Sequence, residues 1–127
     1  MVNGGAPLYL YYWMKESGFA ELMPNLAALY IGLSAGSMVL TPRICSFFVD
    51  WQKLVNSDQA LGIVDFSIFS HLQHPDLPNN TMQAVLDWAN ELGASPAYIM
   101  NDETAIKDDT YGIEVVSELQ WQLINQR

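Results

Sequence analysis

Cysteine, histidine and basic residues are all scarce in this chain, and each scarcity narrows what the molecule can be. A single cysteine, Cys45, excludes an intramolecular disulfide and suits a reducing compartment. Its expected role is that of a small buried hydrophobe rather than a second nucleophile. Five Lys and Arg stand against 14 Asp and Glu, for a formal charge of −9. No basic patch is available for nucleic acid or for an anionic membrane surface, so neither is expected as a partner. No apolar run approaches the ~18 residues of a membrane span, and no basic segment leads a signal-peptide core. The cytoplasm is the expected compartment. Asn79-Asn80-Thr81 matches a glycosylation acceptor, a pattern without meaning there.

What remains is a globular composition. Half of the 127 residues are hydrophobic and 15% are charged, which fits one domain over residues 1–127 with a real core. The most informative stretch is Leu29-Tyr30-Ile31-Gly32-Leu33-Ser34-Ala35-Gly36-Ser37. An apolar strand-like run, Leu29–Leu33, meets a Gly-x-Ser-x-Gly pentapeptide, and a short helix over Ala35 to about Leu40 is expected after it, stopped by Thr41-Pro42. That is the form of a nucleophile elbow, a serine on a sharp strand-to-helix turn. Glycines two positions either side relieve backbone crowding, and the helix N-terminus offers N–H groups to developing negative charge.

Around this turn the chain reads as alternating strands and helices, an α/β pattern. Met1–Gly5 is expected to end a strand in a Gly-Gly turn. Pro7 suits the first turn of a helix, which Gly18 breaks. Residues 47–59 suggest a loop with a helical fragment. Gly62–Phe69 resembles a buried strand leading to His71, and Pro75–Asn80 has turn chemistry. Thr81 caps a helix to about Leu92 whose apolar face is Met82, Val85, Leu86, Ala89 and Leu92, with Gly93 after it. Short strands are expected at Ala97–Met100, Thr104–Lys107 and Ile113–Ser117, with a hairpin connection at Asp108–Gly112.

A serine hydroxyl needs a base, and histidine has the suitable pKa. Only His71 and His74 are present. His71 stands just past an apolar run and is the chosen base; His74, before Pro75, reads as a loop histidine. The orienting acid should lie at another strand end, where Asp102 and Glu103 follow Tyr98-Ile99-Met100. Asp102 is preferred, and Asp65, placed inside an apolar run, is its main competitor. Ala35 would give one oxyanion N–H and the Gly4-Gly5 turn the other.

The segments Asn3-Gly4-Gly5, Tyr30 to Ser37, Phe69-Ser70-His71 and Asp102-Glu103-Thr104-Ala105-Ile106 together resemble peptidase E, the aspartyl dipeptidase-like serine hydrolases. The resemblance covers essentially the whole chain. It implies a three-layer α/β sandwich with a mostly parallel sheet, of the class I glutamine amidotransferase-like fold. It implies Ser34 as nucleophile, His71 as base, Asp102 as acid, and oxyanion donors near Gly5 and Ala35. Asp65 becomes structural, and no metal or organic cofactor is expected. The expected substrate is a small peptide with an N-terminal aspartate, for which Arg43 is the cation nearest the elbow.

The sequence departs from that family in two places. Gly4-Gly5-Ala6 stands where members have Gly-Gly-Asn, so a backbone donor is kept and a side-chain contact is lost. Family domains also carry several β/α elements before this turn, so the chain looks like an N-terminally truncated, C-terminal part of the fold. An uncovered sheet edge would then favour a homo-oligomer. The alternative expectation is a vestigial, non-catalytic domain with a structural or oligomerisation role.

Overall fold

A computed structural model describes residues 1–51 and 57–126. The chain folds as two compact units, Met1–Ser67 and Ile68–Arg127. Its elements are of mixed α/β type. Among the described residues no helix is long and apolar enough to cross a membrane.

In the first unit, helix α1 (Pro7–Glu16) starts on Pro7, whose missing N–H costs nothing where helical N–H groups lack partners anyway. Gly18 adopts φ 78°, a left-handed conformation that glycine takes without strain, and the short α2 (Phe19–Leu22) begins beyond it. Leu8 of α1 packs with Met38, Ile44 and Ala60, and Phe48, Val49 and Trp51 lie against this cluster. Cys45 is fully buried, as a small hydrophobe should be.

Two expected strands are much shorter than their apolar runs. Leu29–Leu33 makes only a single parallel bridge, Gly32 with Val2. Val2 N–H donates to Ile31 O at 2.8 Å and Leu33 N–H to Val2 O at 2.9 Å. The N-terminal segment that carries Val2 turns at Gly5, where φ is 133°. Strand β1 occupies only Ser67–Phe69 of the expected Gly62–Phe69. The preceding residues serve the helix α3 (Ala35–Met38) instead. Leu61, Gly62, Ile63 and Val64 donate N–H groups to the carbonyls of Val39, Thr41 and Leu40 at the end of that helix. Those carbonyls have no partner within a helix, so the loop satisfies them rather than extending a sheet. Asp65 accordingly lies exposed in a bend, not in a strand.

Among the described residues, the segment expected to hold a helical fragment begins in a 3-10 turn, Ser46–Phe48. Positions 52–56 of that expectation lie outside the described residues. Arg43 and Gln59 flank the segment in an antiparallel bridge.

The second unit centres on helix α4 (Met82–Leu92). Thr81 Oγ1 accepts the Ala84 N–H at 3.2 Å, and Gly93 ends the helix with φ 78°. Its buried stripe is Val85, Trp88 and Leu92, whereas Met82 and Leu86 are exposed. Trp88 explains the difference from the expected face. It meets Phe69 edge-on, centroids 5.5 Å apart, and so large an aromatic pair sets which side of the helix turns inward.

Strand β2 (Ala97–Ile99) lies between β1 and β5 (Gln122–Ile124), and its pairing with β5 is antiparallel. The chain's last strand was not expected from its polar sequence. Asn125 follows it with φ 54°, and its side-chain amide donates to Gly93 O at 2.7 Å and Ser95 O at 3.1 Å. Strands β3 (Thr104–Asp109) and β4 (Gly112–Ser117) form the expected hairpin as a separate two-stranded sheet. Thr110 and Tyr111 make its turn, with Asp109 paired to Gly112.

Candidate active site

In the first unit Ser34 sits at φ 55°, ψ −116°, at the N-cap of α3. A non-glycine residue there is strained by about 1–3 kcal/mol, and such strain persists only where the surroundings enforce it. Two close approaches enforce it here. A Cβ on Gly32 would lie 2.5 Å from Gly36 O, and a Cβ on Gly36 would lie 2.1 Å from Val2 O. Neither position tolerates a side chain, so the pentapeptide's glycines are demanded by geometry. Tyr30 braces the same turn, its hydroxyl donating to Gly36 O at 2.7 Å. Burial pushes the Tyr30 phenol up to about 12, which keeps it a proton donor throughout the neutral range.

The Gly4-Gly5 turn lies against the serine. A Cβ added to Gly4 would contact Ser34 Cβ at 3.4 Å and Oγ at 3.6 Å. The Gly4 N–H itself donates to Asn3 Oδ1 at 2.8 Å. Gly5, at φ 133°, takes a conformation that side chains rarely allow. Ala35 is buried at the first position of α3, where N–H groups have no intrahelical acceptor.

Arg43, the expected carboxylate anchor, is paired with Asp58 of its own unit. Its Nε and a terminal nitrogen both lie 3.1 Å from Asp58 Oδ2. The same oxygen accepts the Cys45 N–H at 2.9 Å. Asp58 therefore ties the guanidinium to the backbone at Cys45, which carries φ 63°.

In the second unit, His71 and Asp102 come together as the sequence suggests. His71 Nδ1 lies 2.6 Å from Asp102 Oδ1. A carboxylate only accepts, so Nδ1 carries the proton, and in the neutral ring Nε2 keeps its lone pair. The neighbouring Glu103 donates its backbone N–H to Asn101 Oδ1 at 3.1 Å, which also accepts the Thr104 hydroxyl at 2.8 Å. Thr104 Oγ1 and Ser117 Oγ, 2.7 Å apart, carry this network to the base of the hairpin.

One residue at this site was read differently from the sequence. His74 Nε2 lies 3.2 Å from Asp102 Oδ2, so the carboxylate stands between two imidazoles. The two rings are 6.1 Å apart and nearly perpendicular. Two histidines three residues apart around a turn could have signalled convergence, since turn residues three apart face each other.

The loop that carries both histidines is closely held. His71 and Gln73 have φ 58° and 56°. Leu72 N–H donates to Met100 O at 3.0 Å and Gln73 N–H to Asn80 O at 2.8 Å. The buried Asn80 amide donates to Ser70 O at 3.1 Å.

The family model for peptidase family S51 matches residues 1–116. An uncharacterized peptidase of Listeria monocytogenes, Lmo0363, is 32% identical over 112 residues, 83% of this chain and 53% of that protein. Lin0382, an uncharacterized peptidase of Listeria innocua, is 32% identical over 126 residues, covering 93% and 57%. A crystal structure of a Listeria monocytogenes EGD-e protein, provisionally assigned as a peptidase E, superposes with a TM-score of 0.72 at 25% identity. That likeness covers 91% of this chain and 57% of the other. The chain thus spans little more than half the length of the proteins it matches.

Proposed function

The chain belongs to peptidase family S51, and from that membership we propose a serine-type peptidase acting on small peptides of the aspartyl dipeptidase kind. The observation that carries this reading is the strained backbone of Ser34, held between two glycines that admit no side chain. Residues 1–127 form one catalytic domain in this proposal. Ser34 Oγ attacks the scissile carbonyl carbon while its proton passes to His71 Nε2. Asp102 stabilises the imidazolium and keeps its Nδ1 proton in place. Collapse of the tetrahedral intermediate breaks the C–N bond, and His71 returns the proton to the leaving amine. Water then cleaves the acyl ester with His71 again as base. Gly5 and Ala35 N–H groups hold the oxyanion. Arg43 meets an acidic substrate side chain by sharing its guanidinium fork with Asp58.

No cofactor enters these steps. The working form is a cytoplasmic homo-oligomer. Support for that comes from Leu29, Ile31 and Leu33, which are exposed around the single Gly32 bridge.

The test is labelling by a fluorophosphonate probe, which reports an activated serine directly. Stoichiometric labelling, abolished in Ser34→Ala, is expected. A folded wild-type protein that takes no label would overturn the reading. It would favour the alternative of a non-catalytic domain. Light scattering of the same sample should report more than one copy per particle.

A further inference from the structure

We propose that His74 is a positioning residue for this reaction, holding through Asp102 the His71 tautomer that accepts a proton at Nε2. The inference rests on the serine-peptidase reading above. Its basis is a chain of three polar contacts, two hydrogen bonds and one close ion-pair approach, in which elementary chemistry fixes where each proton sits.

The Asp76 backbone N–H lies 3.0 Å from His74 Nδ1. A backbone N–H only donates, so Nδ1 must be the unprotonated nitrogen of the His74 ring. The proton of that ring then sits on Nε2, which lies 3.2 Å from Asp102 Oδ2. The other carboxylate oxygen, Oδ1, takes the Nδ1 proton of His71. One turn therefore fixes one tautomer, which orients one carboxylate, which fixes the second tautomer.

Asp102 needs such a second hold. Rotation of a carboxylate about its terminal bond is soft. The Asp102 side chain is 42% exposed, so water competes for both oxygens. A partner on Oδ1 alone leaves the plane of the carboxylate free to swing. With a nearly perpendicular ring on each oxygen, a single orientation serves both contacts. His74 is itself restrained on the backbone side. Its N–H donates to His71 O at 3.2 Å, and its carbonyl accepts the Leu77 N–H at 3.0 Å.

Two amide side chains separate this role from a merely structural one. Asn places an oxygen near the position of Nδ1 and keeps the Asp76 contact, but it cannot reach Asp102. Gln places an N–H near the position of Nε2 and keeps the Asp102 contact without the other. His74→Gln should retain kcat within about threefold. His74→Asn and His74→Ala should each lose about tenfold in kcat, the scale of a lost hydrogen bond to a charged group, with KM little changed.

Imidazole nitrogen NMR of the neutral His71 ring supplies a readout independent of turnover. Wild type and His74→Gln should show the proton on Nδ1, and the other two variants a mixture of tautomers. Full activity in His74→Asn with loss in His74→Gln would overturn the proposal and leave His74 an anchor for the turn. An unchanged His71 tautomer in all three variants would overturn it as well. If the wild type hydrolyses nothing, the peptidase reading fails, and the NMR comparison still decides whether His74 governs His71.

Discussion

Gly36 packs so closely on Val2 that a Cβ at Gly36 would come within 2.1 Å of the Val2 carbonyl oxygen. The elbow is thus pressed against the N-terminal segment, and Ser34 takes the strain. Ser34→Gly should therefore be more stable than Ser34→Ala, by about 1 kcal/mol in urea denaturation, because glycine accepts φ 55° freely. Both variants should be inactive. Equal midpoints would mean that the Ser34 backbone stores no strain.

Asp102 and Glu103 are neighbours of like charge with different partners. Asp102→Asn removes the charge that holds the His71 Nδ1 proton, offers an amide donor that favours the wrong tautomer, and should lower kcat roughly 10³-fold. Glu103→Gln should stay within about twofold of wild type, since the bond to Asn101 is made by the Glu103 backbone N–H. Comparable losses in the two variants would show that the acid had been misassigned.

The His71–Asp102 pair spans 31 residues and was reached by placing each residue at the end of an apolar run. The elbow, the Thr81 cap and the β3–β4 hairpin could all be read from sequence for one reason. Each is a short-range signal, in which glycine spacing, turn chemistry or alternation fixes the local backbone. Strand extent was not legible, because a strand is only as long as its partner. Gly62–Val64 left the sheet to serve carbonyls at the end of α3, and Leu29–Leu33 found one rung at Val2. Trp88 escaped an aliphatic count of the α4 face. His74 looked like a loop residue because its meaning depends on Asp102, distant in sequence.

Tyr30 predicts an alkaline limit. Its folded-state pKa is raised from 10.0 to about 12. Between these values the folded protein holds a proton that the unfolded chain has released. This group's contribution is therefore full below about pH 10 and is lost as the pH rises toward 12. Tyr30→Phe should flatten that part of the stability profile and cost about 1 kcal/mol at neutral pH through the lost bond to Gly36. Thermal melts across the alkaline range check both.

Arg43 and Asp58 are unequal partners in stability. Arg43→Ala gives up a half-exposed ion pair and should cost at most about 1 kcal/mol. Asp58→Ala also takes the acceptor from the Cys45 N–H and should cost more, about 1–3 kcal/mol. If Arg43 also meets substrate, Arg43→Ala raises KM for N-terminal aspartyl dipeptides and leaves alanyl ones unchanged. An equal change for both substrates confines it to Asp58.

The family match ends at residue 116, but folding does not. Strand β5 covers one side of β2, and Asn125 closes over the carbonyls of Gly93 and Ser95. A gene trimmed to the family boundary would therefore express a polypeptide with the Tyr98–Ile99 ladder bare along one edge. Bare ladders recruit one another. Such a product is expected in inclusion bodies, and the short tail after Ser117 decides whether the protein can be handled at all.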